Sequence, residues 1–208
     1  ASDPLSISIV TICFRDLEGL RATVESVRAQ QYSGPTEHII IDGGSGPEVE
    51  EYLSTLEPQP AFWCSEPDGG RYDAMNKGIA KAGGDLVWLM HAGDVFADDT
   101  VLSDVASFVA HHPSPRSVWG YGQVRVIGRP GLVEPIWGAI PFDLHQFMIG
   151  SQPIPHQGAF FGADLLAELP PYDLDFGLAA DQLYMFRAAL HREPVGLRRV
   201  VCDFDSGG

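Results

Sequence analysis

A chain of 208 residues, 45% hydrophobic and with 16 prolines, is long enough to bury one sizeable core and too apolar to be a disordered segment. Its formal charge of -15 excludes broad electrostatic binding to nucleic acid or anionic lipid, since both need basic surface. Cys13, Cys64 and Cys202 lie far apart with no Cys-x-x-Cys pair, which points to reduced thiols rather than a disulfide framework or a zinc site. No apolar run approaches the roughly 18 residues of a membrane span, and Ala1-Ser2-Asp3-Pro4 does not read as a signal peptide. A cytoplasmic protein is expected, able to work beside a membrane, and Phe204-Asp205-Ser206-Gly207-Gly208 reads as the edge of a longer chain.

The first expected strand, Leu5 to Ile12, alternates and then turns fully apolar. Asp16 is placed to cap a helix through Leu17, Leu20, Val24 and Val27 that ends near Gln30-Gln31. A second strand, His38 to Ile41, stops at Asp42-Gly43-Gly44-Ser45-Gly46, and Pro47 opens the next helix. Ala61 to Cys64 is a third strand, and Tyr72 to Lys81 a short helix punctuated by Gly83-Gly84. The apolar run Leu86 to Met90 is too short for an independent helix and suits a strand buried on both faces of a parallel sheet. Asp98-Asp99 then cap a helix through Val101, Val105 and Phe108-Val109.

This alternation predicts an α/β fold with a mixed, mainly parallel sheet flanked by helices. After residue 110 the pattern changes. A β-ribbon is expected from Val118 to Ile127 and Gly131 to Ile136 around Gly128-Arg129-Pro130, then irregular chain over 137–157. Helices follow at Ala163–Leu169 and Ala180–His191, and a last strand at Gly196–Phe204. The chain thus divides into a nucleotide half, 1–110, and a substrate half, 111–208, sharing one sheet in a single domain.

Ligands of open α/β sheets bind past the carboxyl ends of the strands, where Asp94 stands. A carboxylate there is suited to a divalent cation that in turn holds the diphosphate of a sugar nucleotide. Asp42, also at a strand end, suits a base N–H or ribose hydroxyls, or else an Asx turn. Gly43-Gly44-Ser45-Gly46 is not Gly-x-Gly-x-x-Gly and follows the second strand, which excludes the dinucleotide reading. Asp68 to Gly78 is the densest polar cluster. Its helix-start acids Asp68 and Asp73 are each explicable as caps, but Arg71, Asp73, Asn76 and Lys77 together exceed what capping needs.

These residues carry a family resemblance. Ser8-Ile9-Val10-Thr11, Glu25 to Gln30, Ile41-Asp42-Gly43-Gly44-Ser45, Ser65-Glu66-Pro67-Asp68 and Tyr72-Asp73-Ala74-Met75-Asn76-Lys77-Gly78 resemble a family 2 glycosyltransferase. Gly84-Asp85, Pro155-His156-Gln157 and Ala179-Ala180-Asp181 extend the likeness over nearly the whole chain in the right order. The resemblance implies a GT-A fold and an inverting, metal-dependent enzyme of bacterial cell-surface glycan or glycolipid assembly. Such an enzyme takes an NDP-sugar donor, a UDP-sugar being favoured, and a glycan or lipid-linked acceptor.

By that resemblance Thr11 and the following turn line the nucleotide site, Asp42 meets the ribose or base, and Asp68 the base. Arg71 meets the nucleotide or its phosphates, with Asp73 and Gly93 counted among the same contacts. Asp94 matches the last acid of the family's Asp-x-Asp-type motif and would hold Mn2+ or Mg2+. Gly93 stands where a second acid is often found, and His91 is either an extra ligand or a structural residue. Asp181 is the candidate general base, or a helix cap. His156 and Gln157 would meet the acceptor or the diphosphate, although core packing of His156 is the competing reading. Trp119, Tyr121 and Trp137 either stack on sugar rings or belong to the core. Two rival functions remain: a nucleotidyltransferase, for which residues 11–19 offer only Arg15 as a cation, and a non-catalytic nucleotide-sugar module.

Overall fold

Strands β1 (Ile7–Cys13), β2 (Thr36–Asp42), β3 (Phe62–Ser65) and β4 (Leu86–His91) pair in parallel in the order β3-β2-β1-β4. The computed structural model describes residues 3–127 and 136–205; the expected ribbon turn at Gly128-Arg129-Pro130 and most of its second arm lie outside the described residues. From β1 the chain runs outward through β2 and β3, then crosses back to add β4 on the other side of β1. That reversal opens a crevice past the carboxyl ends of β1 and β4.

The second half continues the same sheet. β8 (Ala159–Gly162) lies antiparallel to β4, β6 (Trp119–Ile127) antiparallel to β8, and β9 (Val195–Asp205) parallel to β6. One short strand absent from the sequence reading, β5 (Val95–Phe96), pairs with β9, and the described part of the expected ribbon's second arm is β7 (Ile136–Trp137), antiparallel to β6.

β4 is buried on both faces, as its apolar run required. Val87 and Leu89 enter one core cluster, and Leu86, Trp88 and Met90 the other. β1 divides the same way, with Val10 and Ile12 on one face and Ile7 and Ile9 on the other. Helices α3 (Arg71–Ile79) and α7 (Ala180–His191) cover the first face. α4 (Val101–Ala110) covers the second, while α1 (Leu17–Arg28) and α2 (Pro47–Thr55) pack a third cluster around Leu20, Ile40 and Leu53. α5 (Leu144–Met148) lies in the stretch expected to be irregular, and α6 (Ala163–Glu168) where a helix was expected.

Asp16 caps α1, its Oδ1 accepting the Gly19 N–H at 2.8 Å. Asp98 does not cap α4. The cap position is Thr100, whose N–H and hydroxyl both donate to Asp98 Oδ1 at 2.9 Å, and Asp98 also pairs with Arg199.

One buried hydroxyl of α1 fixes the loop after β4. Thr23 is 0% exposed; its Oγ1 donates to the Asp94 carbonyl at 2.7 Å and accepts the Gly93 N–H at 3.0 Å. Gly93 has φ 98°, a conformation side chains rarely tolerate, so the turn itself calls for glycine where a second acid is often found. Thr23→Val keeps the shape but strands both backbone groups. Each stranded group costs about 1–3 kcal/mol, and each kcal/mol lowers Tm by about 2–4 °C at this size. Thermal melting is therefore expected to show a fall of several degrees for Thr23→Val and little change for Thr23→Ser.

Candidate active site

The crevice at the β1/β4 reversal is a cleft of about 770 Å³. Its wall takes Phe14, Arg15 and Asp16 from the β1–α1 turn, Asp68 and Arg71 from the start of α3, and His91 and Asp94 from the end of β4. Arg15 is the one non-glycine residue with positive φ, at 56°, among the described residues, and its N–H donates to Ser45 Oγ at 2.6 Å. A strained, exposed arginine at a cleft edge is where function concentrates. In the sequence its signal is only that it is the single cation of residues 11–19. Arg71 is exposed and makes no ion pair within 4.0 Å among the described residues.

Asp94 lines this cleft while being only 1% exposed, and its Oδ2 accepts the His91 N–H at 2.8 Å. Burial pushes the His91 imidazole down to about 3, with Arg71 and His156 adding repulsion, so the ring stays neutral. Among the described residues no group of three or more His, Cys, Asp or Glu forms a metal cage. The donor set is thus one carboxylate beside one neutral imidazole. Hard cations such as Mg2+ are held by that few protein ligands when phosphate oxygens and waters complete the shell, so these residues fit a cation bound together with a phosphorylated ligand.

Charge in the wall favours the same conclusion. The carboxylates of Asp16, Asp68 and Asp94 outnumber the guanidiniums of Arg15 and Arg71. Cys13 also lines the cleft, but burial pushes its thiol up to about 12, so it supplies no thiolate.

Asp68 meets the cleft and accepts the Gly70 N–H at 2.8 Å on Oδ1, which shapes the turn into α3. Gln157 also reaches the wall, while its carbonyl accepts the Trp88 indole N–H at 2.9 Å. Other expected contacts lie elsewhere. Thr11 is fully buried with its hydroxyl 2.8 Å from His38 Nε2. Asp42, also fully buried, accepts from Ser45 N–H at 2.9 Å, Ser65 hydroxyl at 2.6 Å and the Ser45 hydroxyl, so its carboxylate builds the glycine-rich turn as an Asx motif. Asp73 accepts the Gly69 N–H at 2.9 Å and faces Lys77 at 3.7 Å, the work of a helix-start acid. None of these three is in the cleft wall.

His156 is 4% exposed, with Nε2 2.7 Å from the Tyr172 hydroxyl and its ring held neutral by burial, down to about 4. That is the core-packing alternative. Trp119 and Tyr121 are core residues with bonded polar atoms, whereas Trp137 is 47% exposed on β7 and outside the cleft wall.

Asp181 sits in the first turn of α7, where Ala179 and not Asp181 is the cap position. Burial raises its pKa, while the N–H of Gln182, donating at 2.7 Å, and the charge of Arg71 oppose the rise. Arg71 therefore acts electrostatically on both His91 and Asp181.

Residues 8–148 match the family model for glycosyl transferase family 2. An uncharacterized glycosyltransferase of Mycobacterium tuberculosis is 50% identical over 203 residues, covering 98% of this chain and 76% of that protein. A PGL/p-HBAD biosynthesis glycosyltransferase of Mycobacterium bovis is 30% identical over 165 residues, 78% of this chain and 61% of that one. S. aureus TarS 1-349 in complex with UDP-GlcNAc shares the fold with TM-score 0.74 and 15% identity, covering 98% of this chain and 59% of that chain. A mannosyltransferase from Pyrobaculum calidifontis in complex with GDP-Man and Mn2+ gives 0.68 and 16%, covering 98% and 57%. The chain therefore spans less than two thirds of these two solved structures. With the mostly parallel sheet, its reversal at β1/β4 and these relatives in hand, the chain belongs to glycosyl transferase family 2 and has the GT-A fold.

Proposed function

We propose that this protein moves one sugar from an NDP-sugar, a UDP-sugar being favoured, to a hydroxyl of a glycan or lipid-linked acceptor, with inversion. The observation that carries the reading is the cleft at the β1/β4 reversal, whose wall sets Asp68, Arg15, Arg71 and Asp94 together. Solved relatives support the donor class, being described with UDP, with UDP-GlcNAc and with GDP-Man and Mn2+. In this reading residues 1–110 serve the donor and 111–208 the acceptor.

Arg71 and Arg15 meet the diphosphate, and Asp68 the base. Each charge pair at about 4 Å is worth up to roughly 4 kcal/mol at an effective dielectric near 20, against about 1 kcal/mol for a neutral hydrogen bond. Charge, not hydrogen-bond count, decides how well the leaving group is stabilised. When bound, a divalent cation held by Asp94, with His91 beside it, supplies further neutralisation of the diphosphate.

Asp181 takes the proton of the acceptor hydroxyl as that oxygen bonds to the anomeric carbon. The bond from the carbon to the diphosphate oxygen breaks, and its electron pair leaves with the nucleoside diphosphate. The burial that raises the Asp181 pKa makes it a stronger base than a free carboxylate. The β1–α1 turn offers only Arg15 as a cation, which weighs against nucleotidyl transfer.

Asp181→Asn is expected to lower kcat about 10²–10⁴-fold while calorimetry shows UDP affinity unchanged; near-normal transfer would remove Asp181 from the role of base. Because only deprotonated Asp181 accepts the proton, kcat/KM should rise with pH along an acid limb above the ordinary carboxylate value of about 4. Mn2+ should tighten UDP binding at least tenfold, an effect that Asp94→Asn abolishes although an asparagine oxygen still accepts the His91 N–H. Equal UDP affinity with and without metal in the unsubstituted protein would contradict the role given to Asp94.

A further inference from the structure

We infer that Tyr72 is a positioning residue: its hydroxyl, supplied by α3, holds the backbone that leads into the helix carrying Asp181 and so positions that carboxylate. The inference rests on the reading of Asp181 as the base.

A helix leaves its first N–H groups without intrahelical partners, and a side-chain oxygen at the cap position normally takes them. α7 has no such cap, since Ala179 stands there. Tyr72 of α3 instead holds the backbone just before that helix. Its hydroxyl donates to the Leu178 carbonyl at 2.8 Å, three residues before Asp181. The residue is 8% exposed, so water does not substitute readily for this bond.

A second fastening lies one turn further along α3. Asn76 Nδ2 donates to the Tyr172 carbonyl at 3.0 Å, and its Oδ1 accepts the Tyr172 N–H at 2.8 Å. The Tyr172 ring stacks on Tyr72 at 5.6 Å and on Tyr184 of α7 at 3.9 Å between centroids. Arg71, immediately before Tyr72, lines the donor cleft. The first turn of α3 thus holds the donor-side cation and the anchor of the acceptor-side base on consecutive residues. A phenylalanine would fill the same space and keep the stack. What it loses is the hydrogen bond to the Leu178 carbonyl.

The groups that act on the Asp181 carboxylate are Gln182 beside it on α7 and Arg71 from α3, while the Asp181 charge in turn raises the pKa of the Tyr72 and Tyr172 hydroxyls. Tyr72→Phe removes the hydrogen bond to Leu178 without changing charge. It is expected to lower kcat about tenfold, leave UDP affinity within twofold, and move the acid limb of the pH profile to lower pH as Asp181 becomes better hydrated. Asn76→Ala should move the same quantities in the same direction, giving a second variant should either one fold poorly. Unchanged kcat in Tyr72→Phe overturns the proposal. So does a loss of kcat matched by an equal loss of UDP-binding protein with the acid limb unmoved, which is what a purely structural role gives. Asp181→Asn is measured alongside: an inactive Asp181→Asn with an unimpaired Tyr72→Phe sinks the positioning role alone, whereas an active Asp181→Asn removes the base and the positioning role together.

Discussion

Charge balance at the β1/β4 crevice is the constraint on which the site depends. The chain carries -15 overall, and its cleft wall has more carboxylates than guanidiniums. A diphosphate entering that wall is repelled unless positive charge is concentrated on it. Arg15 and Arg71 supply part of that charge from exposed, unshielded positions, and a cation beside Asp94 would supply the rest. Acidic protein and anionic ligand are compatible on these terms because the compensation is local.

The fold delivers this arrangement through a few buried polar contacts more than through the sheet alone. Thr23 ties the β4 loop to α1, and Gly93 lets the backbone turn sharply enough for Asp94 to reach the cleft. Asp42 closes the turn after β2, against which Asp68 sits, with Asp68 Oδ2 only 3.0 Å from the place a Gly43 side chain would occupy. These residues touch no ligand in the proposed reading, yet they set where the ligand-facing residues stand. Tyr72 does the same between the two halves of the chain.

The sheet and most helices were legible in the sequence because their signals are local. The apolar run Leu86–Met90, Asp16 before a helical repeat and Pro47 at a helix start each carry their own physics within a few residues. Site residues were legible only by position. Asp94 and Asp68 follow from strand and helix ends, but Thr11 and Asp42 occupy equally suggestive places and are consumed internally. A strand's two-residue period decides this, turning Thr11 toward His38, 27 residues away. The Asp42 turn is built with Ser65, 23 residues on. Neither partnership has a sequence signature. The Tyr72 and Asn76 contacts, across 106 and 96 residues, were beyond reach for the same reason, although the crowding of polar residues after Asp68 had marked that turn of helix as more than a cap.

Glycosyl transfer itself is tested most directly by the products. Incubation with a UDP-sugar, Mn2+ and a hydroxyl acceptor, followed by quantification of nucleotide and phosphate products, is expected to yield UDP in step with glycosylated acceptor and no pyrophosphate. Release of pyrophosphate, or binding of the UDP-sugar without turnover across a range of acceptors, would contradict the account.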